Sequence, residues 1–406
     1  MGNTKAIVFW LSGVKLADLA SLPEVEALRE RGAMVELEAQ PITGPLLQQY
    51  QAINGQNTAS FGLFDTLVPR NYAAVEETVG RGTPPKSLAD RLRTVGWTVE
   101  YREIPAQELS SAVQQWTQAA PTAQACLFVK AAVTQGMKEA EIKAVGEALQ
   151  LAQAWVGEDG LLAVFSDTQP AEVKRFVNVN DFLAEMGIIE RDEQSGQVNW
   201  KDSLAYHIGH GQLWVNLLGR DTQGVVHPQD EFEEVLDTLV KALPNKLRDP
   251  ETGEPVIERV YRKEELYSGD YLFCAPDLVI VFKPGYAPSA QSSRVGFDGT
   301  TFTPGSGKTA LAGVHPAAVR GFLLAASSAL AAGTTVDEIA PLTAVTATIL
   351  HALGVEYVDV DSPAVSALFS SGYLETHSIR SGSQSQELSD EDEELIISHL
   401  RDLGYV

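Results

Sequence analysis

The sequence predicts an α/β fold, a mostly parallel sheet sandwiched by helices, with an inserted cap region. Short, continuously apolar runs recur along the chain, which is typical of strands that are buried on both faces. Stretches of helical length lie between these runs, and this alternation favours a parallel sheet covered on both sides. Between Thr168 and Tyr267, short elements and clusters of Asn and Asp interrupt the alternation, which indicates an insertion between two core strands.

The predicted elements follow from these patterns in chain order. Strands are predicted at residues 6–11, 97–101, 126–129, 161–165, 277–282 and 322–326. Helices are predicted at residues 23–31, 87–95, 139–155 and 336–353. Gly32, Gly96 and Gly354 directly follow three of these helices, as is typical of glycines that end a helix.

The chain is expected to form one α/β domain over residues 1–377, with the cap inserted at about residues 170–261. Residues 378–387 are rich in Ser and Gln and resemble a flexible linker. Residues 388–406 begin with the capping-box spacing of Ser389 and Asp392. Their apolar residues Ile396, Leu400 and Leu403 share one helical face, so this segment is predicted to dock on the body as a C-terminal helix.

Composition restricts the possible partners. The 406 residues are 44% hydrophobic and 21% charged, as expected for a folded soluble protein. The acidic net charge of −24 disfavours nucleic acid and anionic membranes, which are polyanions. No apolar stretch reaches the ~18 residues of a membrane span, and the N-terminus does not resemble a signal peptide. We therefore expect a cytoplasmic protein.

Several segments resemble the alkaline phosphatase superfamily, in the branch of type I phosphodiesterases and nucleotide pyrophosphatases that includes bacterial phosphohydrolase/phosphomutase-like proteins. They are Gly-Arg-Asp-Thr-Gln-Gly-Val-Val at 219–226, Arg-Asp-Pro-Glu-Thr-Gly-Glu-Pro-Val at 248–256, Val-Tyr-Arg-Lys-Glu-Glu-Leu-Tyr at 260–267, Ala-Pro-Asp-Leu-Val-Ile at 275–280, and Leu-Arg-Asp-Leu-Gly-Tyr-Val at 400–406. The resemblance implies a site with two divalent metals, held by Asp and His, and a Thr or Ser nucleophile that attacks phosphorus.

The residues that carry this chemistry in the family are mostly replaced here. Ser12 occupies the position of a metal-binding Asp, Tyr50 that of the nucleophile, and Thr168 that of a His. Asp167 and His315 match family ligands, whereas the chain has no Asp or His between residues 125 and 157, where two more ligands belong. We expect Ser12, Tyr50, Asp167 and His315 to converge at the carboxyl ends of the strands, as sites of open α/β sheets do.

Two further motifs contain candidate site residues. His207 and His210 could form half of a transition-metal site, which Asp167 and His315 would complete, although two polar loop residues are the simpler interpretation. The segment 305–309, Gly-Ser-Gly-Lys-Thr, resembles a phosphate-binding loop, but it lacks the required preceding glycine and is expected to be a surface loop.

The sequence therefore favours a non-hydrolytic protein that binds a small ligand or a protein partner and needs no cofactor. The alternative is an active metal-dependent phosphodiesterase, nucleotide pyrophosphatase or phosphatase that uses Zn²⁺ or Mn²⁺ in an atypical site.

Overall fold

A computed structural model describes residues 4–40, 44–120, 124–133, 136–192, 195–310 and 312–379. Its strands are β1 (Lys5–Ser12), β2 (Ala33–Glu38), β3 (Leu67–Arg70), β4 (Ala73–Glu76), β5 (Thr98–Glu103), β6 (Ala125–Ala132), β7 (Leu161–Ser166), β8 (Ala171–Val177), β9 (Ala205–Ile208), β10 (Gln212–Val215), β11 (Ile257–Arg262), β12 (Leu278–Phe282), β13 (Tyr286–Pro288), β14 (Phe302–Ala310), β15 (Gly321–Ala326) and β16 (Thr334–Pro341).

The α-helices are α1 (Pro23–Arg31), α2 (Pro45–Asn54), α3 (Leu88–Thr94), α4 (Leu109–Ala119), α5 (Glu139–Val156), α6 (Val179–Glu185), α7 (Asp230–Lys246), α8 (Lys263–Leu266), α9 (Ala344–Ala352) and α10 (Ser371–Thr376). Among them, none combines the length and apolar composition that crossing a membrane requires. The predicted docking helix at 388–406 lies outside the described residues, as does the predicted linker at 378–387 apart from its first two positions.

A seven-stranded sheet forms the centre of the fold, in the order β16-β2-β15-β7-β1-β6-β5. All its pairings are parallel except those of β15, which runs antiparallel to β2 and β7. Alternate residues of β1 pack on opposite faces, Val8 and Trp10 on one side and Ile7 and Phe9 on the other. This two-sided burial explains why the central strands are continuously apolar, and it confirms the predicted fold class.

Helices cover both faces of this sheet. α1, α4 and α5 pack on the Ile7 face, while α2, α3 and α9 pack on the Trp10 face. The predicted helices at 23–31, 87–95 and 139–155 are confirmed as α1, α3 and α5. In α3, the Ser87 hydroxyl caps the first turn by accepting the Asp90 amide at 3.2 Å.

Between β7 and β15, the chain leaves the central sheet and builds a second layer with its own apolar core. This layer contains a four-stranded sheet, β11-β12-β10-β9, and a three-stranded sheet, β13-β8-β14. It extends from Ala171 to Ala310, whereas the sequence pattern placed the insertion at about 170–261. The difference arises because β12 is as apolar as a central strand, and apolar periodicity does not indicate to which sheet a strand belongs.

Two local predictions were wrong. The predicted helix at 336–353 is a strand followed by a helix, β16 and α9, and Pro341 at the end of β16 prevents a continuous helix. The predicted surface loop at 305–309 lies within β14, which pairs with β8 on both sides of an irregularity between Pro304 and Lys308.

Candidate functional site

Three parallel neighbours of the central sheet, β6, β1 and β7, end side by side at one edge. The Gly13 amide donates to the Thr168 carbonyl at 3.1 Å, which joins the ends of β1 and β7. Gly13 has φ +83°, and a Cβ there would lie 1.8 Å from the Val133 carbonyl oxygen. Glycine is therefore required where these strand ends approach most closely.

Asp167 follows β7 directly and is buried at this edge, with 1% of its surface exposed. Its Oδ1 accepts the indole N–H of Trp10 at 2.9 Å, and its Oδ2 has no hydrogen-bond partner among the described residues. Burial raises the pKa of Asp167, against the lowering effects of the Trp10 and Ser12 side chains and the Lys130 charge. Ser12 and Asp167 therefore lie at the same edge of the sheet.

Lys130 of β6 brings a positive charge into the same site, and its side chain is only 8% exposed. Its ammonium lies 3.1 Å from Gln49 Oε1, 2.8 Å from Glu103 Oε1 and 4.9 Å from the centre of the Trp10 ring. Lys130 is not among the residues that the sequence motifs indicated. The available signal was a single Lys within an otherwise apolar strand, where a buried charge needs partners.

The side chains of Tyr50 and Thr168 make no hydrogen bond with Ser12, Lys130 or Asp167 in the described part of the chain. Tyr50 of α2 follows Gln49, and its ring packs against Phe61 with 5.0 Å between centroids. Thr168 is fully buried, and its hydroxyl has no hydrogen-bond partner among the described residues. The backbone carbonyl of Thr168 accepts the Gly13 amide and so holds the ends of β1 and β7 together.

His315 forms its polar contacts with other residues. It precedes a 3₁₀ turn, where its Nδ1 accepts the Ala317 amide at 3.1 Å. Its Nε2 therefore carries the proton and lies 3.1 Å from Glu258 Oε2 in β11. The contacts of His315 are thus with the second layer, and Asp167 is not among them in the described part of the chain.

His207 lies in β9 and His210 in the turn that follows this strand, and the two have different partners. His210 Nδ1 is 2.8 Å from Asp65 Oδ1, and the His210 amide donates to Asp65 Oδ2 at 2.8 Å. Burial lowers the pKa of His210, but the charge and hydrogen bond of Asp65 outweigh it and raise that pKa. Burial alone would raise the pKa of Asp65. Its contacts with His210 and the Leu67 amide outweigh burial and lower that pKa. Buried Asp65 and partly exposed His210 therefore stabilise each other's charged forms.

His207 is fully buried and neutral. Its Nδ1 lies 2.8 Å from Ser292 Oγ, which itself accepts the Val179 amide at 3.0 Å. Burial lowers the pKa of His207 to about 4, mainly because a charge there would be desolvated. Over the described residues, no group of three or more His, Cys, Asp or Glu is placed to hold a metal ion.

The segments that suggested the family are bound to each other in the second layer. Arg220, from the first of them, makes a bidentate ion pair with buried Asp277, with N–O distances of 2.8 and 2.7 Å. Asp249 accepts the amides of Glu251 and Thr252, and these bonds, the Thr252 bond most strongly, hold its pKa at about 2. These motifs therefore stabilise the fold. They lie apart from the group of Ser12, Lys130 and Asp167 near the ends of β1, β6 and β7, which we name the strand-end site.

Solved structures of ectonucleotide pyrophosphatase/phosphodiesterase 5 resemble the described structure. The human protein has a TM-score of 0.54 and 13% identity, over 93% of this chain and 100% of that chain. The murine protein, also 13% identical over 87% of this chain and 96% of that one, has a TM-score of 0.53, or 0.55 as an inactive variant in complex with AMP. The chain shares their fold.

This likeness confirms the alkaline-phosphatase-like fold that the motifs indicated. Neither a family model nor a curated protein matches the sequence. At 13% identity the likeness establishes the phosphodiesterase-like fold, and the chemistry of the site has to be argued from its own residues.

Proposed function

We propose that this phosphodiesterase-like protein binds a small ligand or a protein partner without hydrolysing a phosphoester. One observation carries the proposal, the Lys130 ammonium at the ends of β1, β6 and β7. Its positive charge pairs with Glu103 at 2.8 Å and also lowers the pKa of Asp167, in the region where the family resemblance implies metal ions. A divalent cation here would be repelled by the ammonium and would meet Ser12 and Thr168 in place of an Asp and a His.

The second candidate is an active metal-dependent phosphodiesterase or phosphatase. It is favoured by the buried Asp167 Oδ2, which lacks a hydrogen-bond partner among the described residues and could bind a cation. One carboxylate oxygen is too few, because a catalytic Zn²⁺ takes about three protein ligands. The balance of charge therefore supports the non-hydrolytic proposal.

An activity assay distinguishes the two candidates. We expect no turnover of aryl phosphomonoesters or phosphodiesters above background with added Zn²⁺, Mn²⁺ or Mg²⁺. The reason is that Tyr50 packs against Phe61 where the family has its nucleophile, and loss of a nucleophile costs several orders of magnitude in rate. Turnover that disappears in an Asp167→Ala, His315→Ala double variant would establish the metal-dependent enzyme instead.

A further inference from the structure

A cavity of about 390 Å³ lies between the β3–β4 hairpin and the second layer, apart from the strand-end site. Its volume is within the range of small-molecule sites. The tip of the hairpin is fixed to the second layer through Tyr72, whose ring stacks on Trp200 at 3.9 Å and whose hydroxyl donates to Asn216 Oδ1 at 2.8 Å. The walls are therefore positioned before any ligand binds.

Three arginines and two carboxylates, Glu77 and Asp221, line this cavity in a chain whose net charge is −24. Arg220 is held by Asp277, and Arg70 pairs with Glu77 at 2.6 Å. Arg81 makes no hydrogen bond or ion pair with another described residue, so its guanidinium is available to a ligand. A planar guanidinium binds phosphate or carboxylate through two parallel hydrogen bonds.

The same cavity presents aromatic surface. Phe273 lines it and is 69% exposed, which is unusual for a large apolar side chain. Trp214 also lines it, with one face covered by the Arg220 guanidinium 5.0 Å away. An exposed aromatic ring and a guanidinium that forms no ion pair with another described residue line the same cavity, which matches a ligand that contains both a planar ring and an anionic group.

We propose that this cavity, which we name the arginine pocket, binds an aromatic phosphate. The proposal deepens the proposed function by naming a class of ligand. Cys274 in the wall of the pocket provides a direct probe, because its thiol is only partly buried. The other cysteine, Cys126, is fully buried and serves as an internal control.

The test measures how fast N-ethylmaleimide modifies Cys274 in the full chain. We expect 1-naphthyl phosphate to slow modification at least fivefold, and 1-naphthol or inorganic phosphate at the same concentration to have little effect. Arg81→Gln or Phe273→Ala should abolish the protection. Arg29→Gln should retain it, since Arg29 is an exposed arginine of α1 outside the pocket.

An unchanged rate with 1-naphthyl phosphate would overturn the proposal, as would protection that persists in both pocket variants. Equal protection of Cys274 by 1-naphthol would show that the pocket does not recognise the phosphate group, and this result would also overturn the proposal. Release of fluorescent 1-naphthol from the ester, followed in the same sample, reports hydrolysis. Such release would contradict the proposed function, whereas protection of Cys274 would still decide whether the pocket binds.

Discussion

Lys130 pairs with Glu103 and its charge also acts on Asp167, and the different exposure of these two carboxylates determines what its removal would do. Glu103 is 57% exposed and can be solvated without the ammonium, whereas Asp167 is buried. Lys130→Met removes the cation that opposes the raised pKa of Asp167, and we expect the free energy of unfolding to fall by about 1 kcal/mol. Urea unfolding measures the change, with Lys143→Met, at an exposed position of α5, as the control. Equal effects of the two substitutions would contradict the assigned burial.

His207 and His210 give the stability of the protein a pH dependence of opposite sign. His207 has a lowered pKa of about 4, so the unfolded chain binds its proton more readily and stability falls as pH drops below about 6.5. His210 has a raised pKa, so it stabilises the fold fully below about pH 6.5. This stabilisation is lost as the pH rises through the folded-state pKa of His210. The pKa of Asp65 is lowered in the folded chain. Asp65 therefore stabilises the fold above its unfolded-state pKa, and this stabilisation is lost only as the pH falls into the acid range. Together these three groups favour greatest stability near pH 6.5.

The variant His210→Gln tests this sign. In this variant the free energy of unfolding should no longer decline above pH 6.5. At pH 6 it should be about 3 kcal/mol lower than in the parent, because buried Asp65 then lacks its ion-pair partner. Urea unfolding between pH 5 and 8.5 provides the profile, and His227→Gln, at an exposed position, should follow the parent. A His210→Gln profile that declines above pH 6.5 as steeply as the parent would show that His210 is not charged in the fold.

The loop after β10 and the start of β12 are joined by the Arg220–Asp277 ion pair. Asp277 also accepts the Val215 amide at 2.8 Å, so it supports both the β10 backbone and the arginine. We expect Asp277→Asn to lower the free energy of unfolding by about 3 kcal/mol. Glu265→Gln, which breaks the exposed Arg259–Glu265 pair, should cost less than about 1 kcal/mol. Similar costs in urea unfolding would mean that the family-like segments are not fixed by this pair.

The sequence predicted those elements whose own residues determine them. β1 and β7 are continuously apolar because both faces are buried, and α3 begins at a Ser that caps it. Pairings between distant segments could not be predicted in this way. The membership of β12 in the second layer, and the contact of His315 with Glu258, depend on how strands from separate parts of the chain meet. The proximity of Ser12 and Asp167 was predictable because parallel neighbouring strands end at one edge.

The whole molecule carries a net charge of −24, and repulsion among like charges opposes the compact state. Raising NaCl from 10 to 150 mM shortens the Debye length from about 30 Å to about 8 Å. We therefore expect calorimetric melting to show a rise in Tm over this range, by about 2–4 °C for each 1 kcal/mol that screening adds to the free energy of unfolding. A Tm that falls with salt would indicate that attractive ion pairs outweigh the general repulsion.

Divalent metals test the whole-molecule charge and the strand-end site together. At 0.1 mM, ZnCl₂ and MnCl₂ add little ionic strength. A rise in Tm larger than the rise that 0.1 mM MgCl₂ produces therefore reports specific binding. A metal present at 100 times its Kd would stabilise a single site by about 2.7 kcal/mol, because only the folded chain presents the ligands together. We expect no difference among the three salts, since the Lys130 ammonium already provides the positive charge beside Asp167 and Ser12 is a poor ligand. If zinc alone raises Tm and Asp167→Ala removes the effect, the site binds metal and the non-hydrolytic proposal fails.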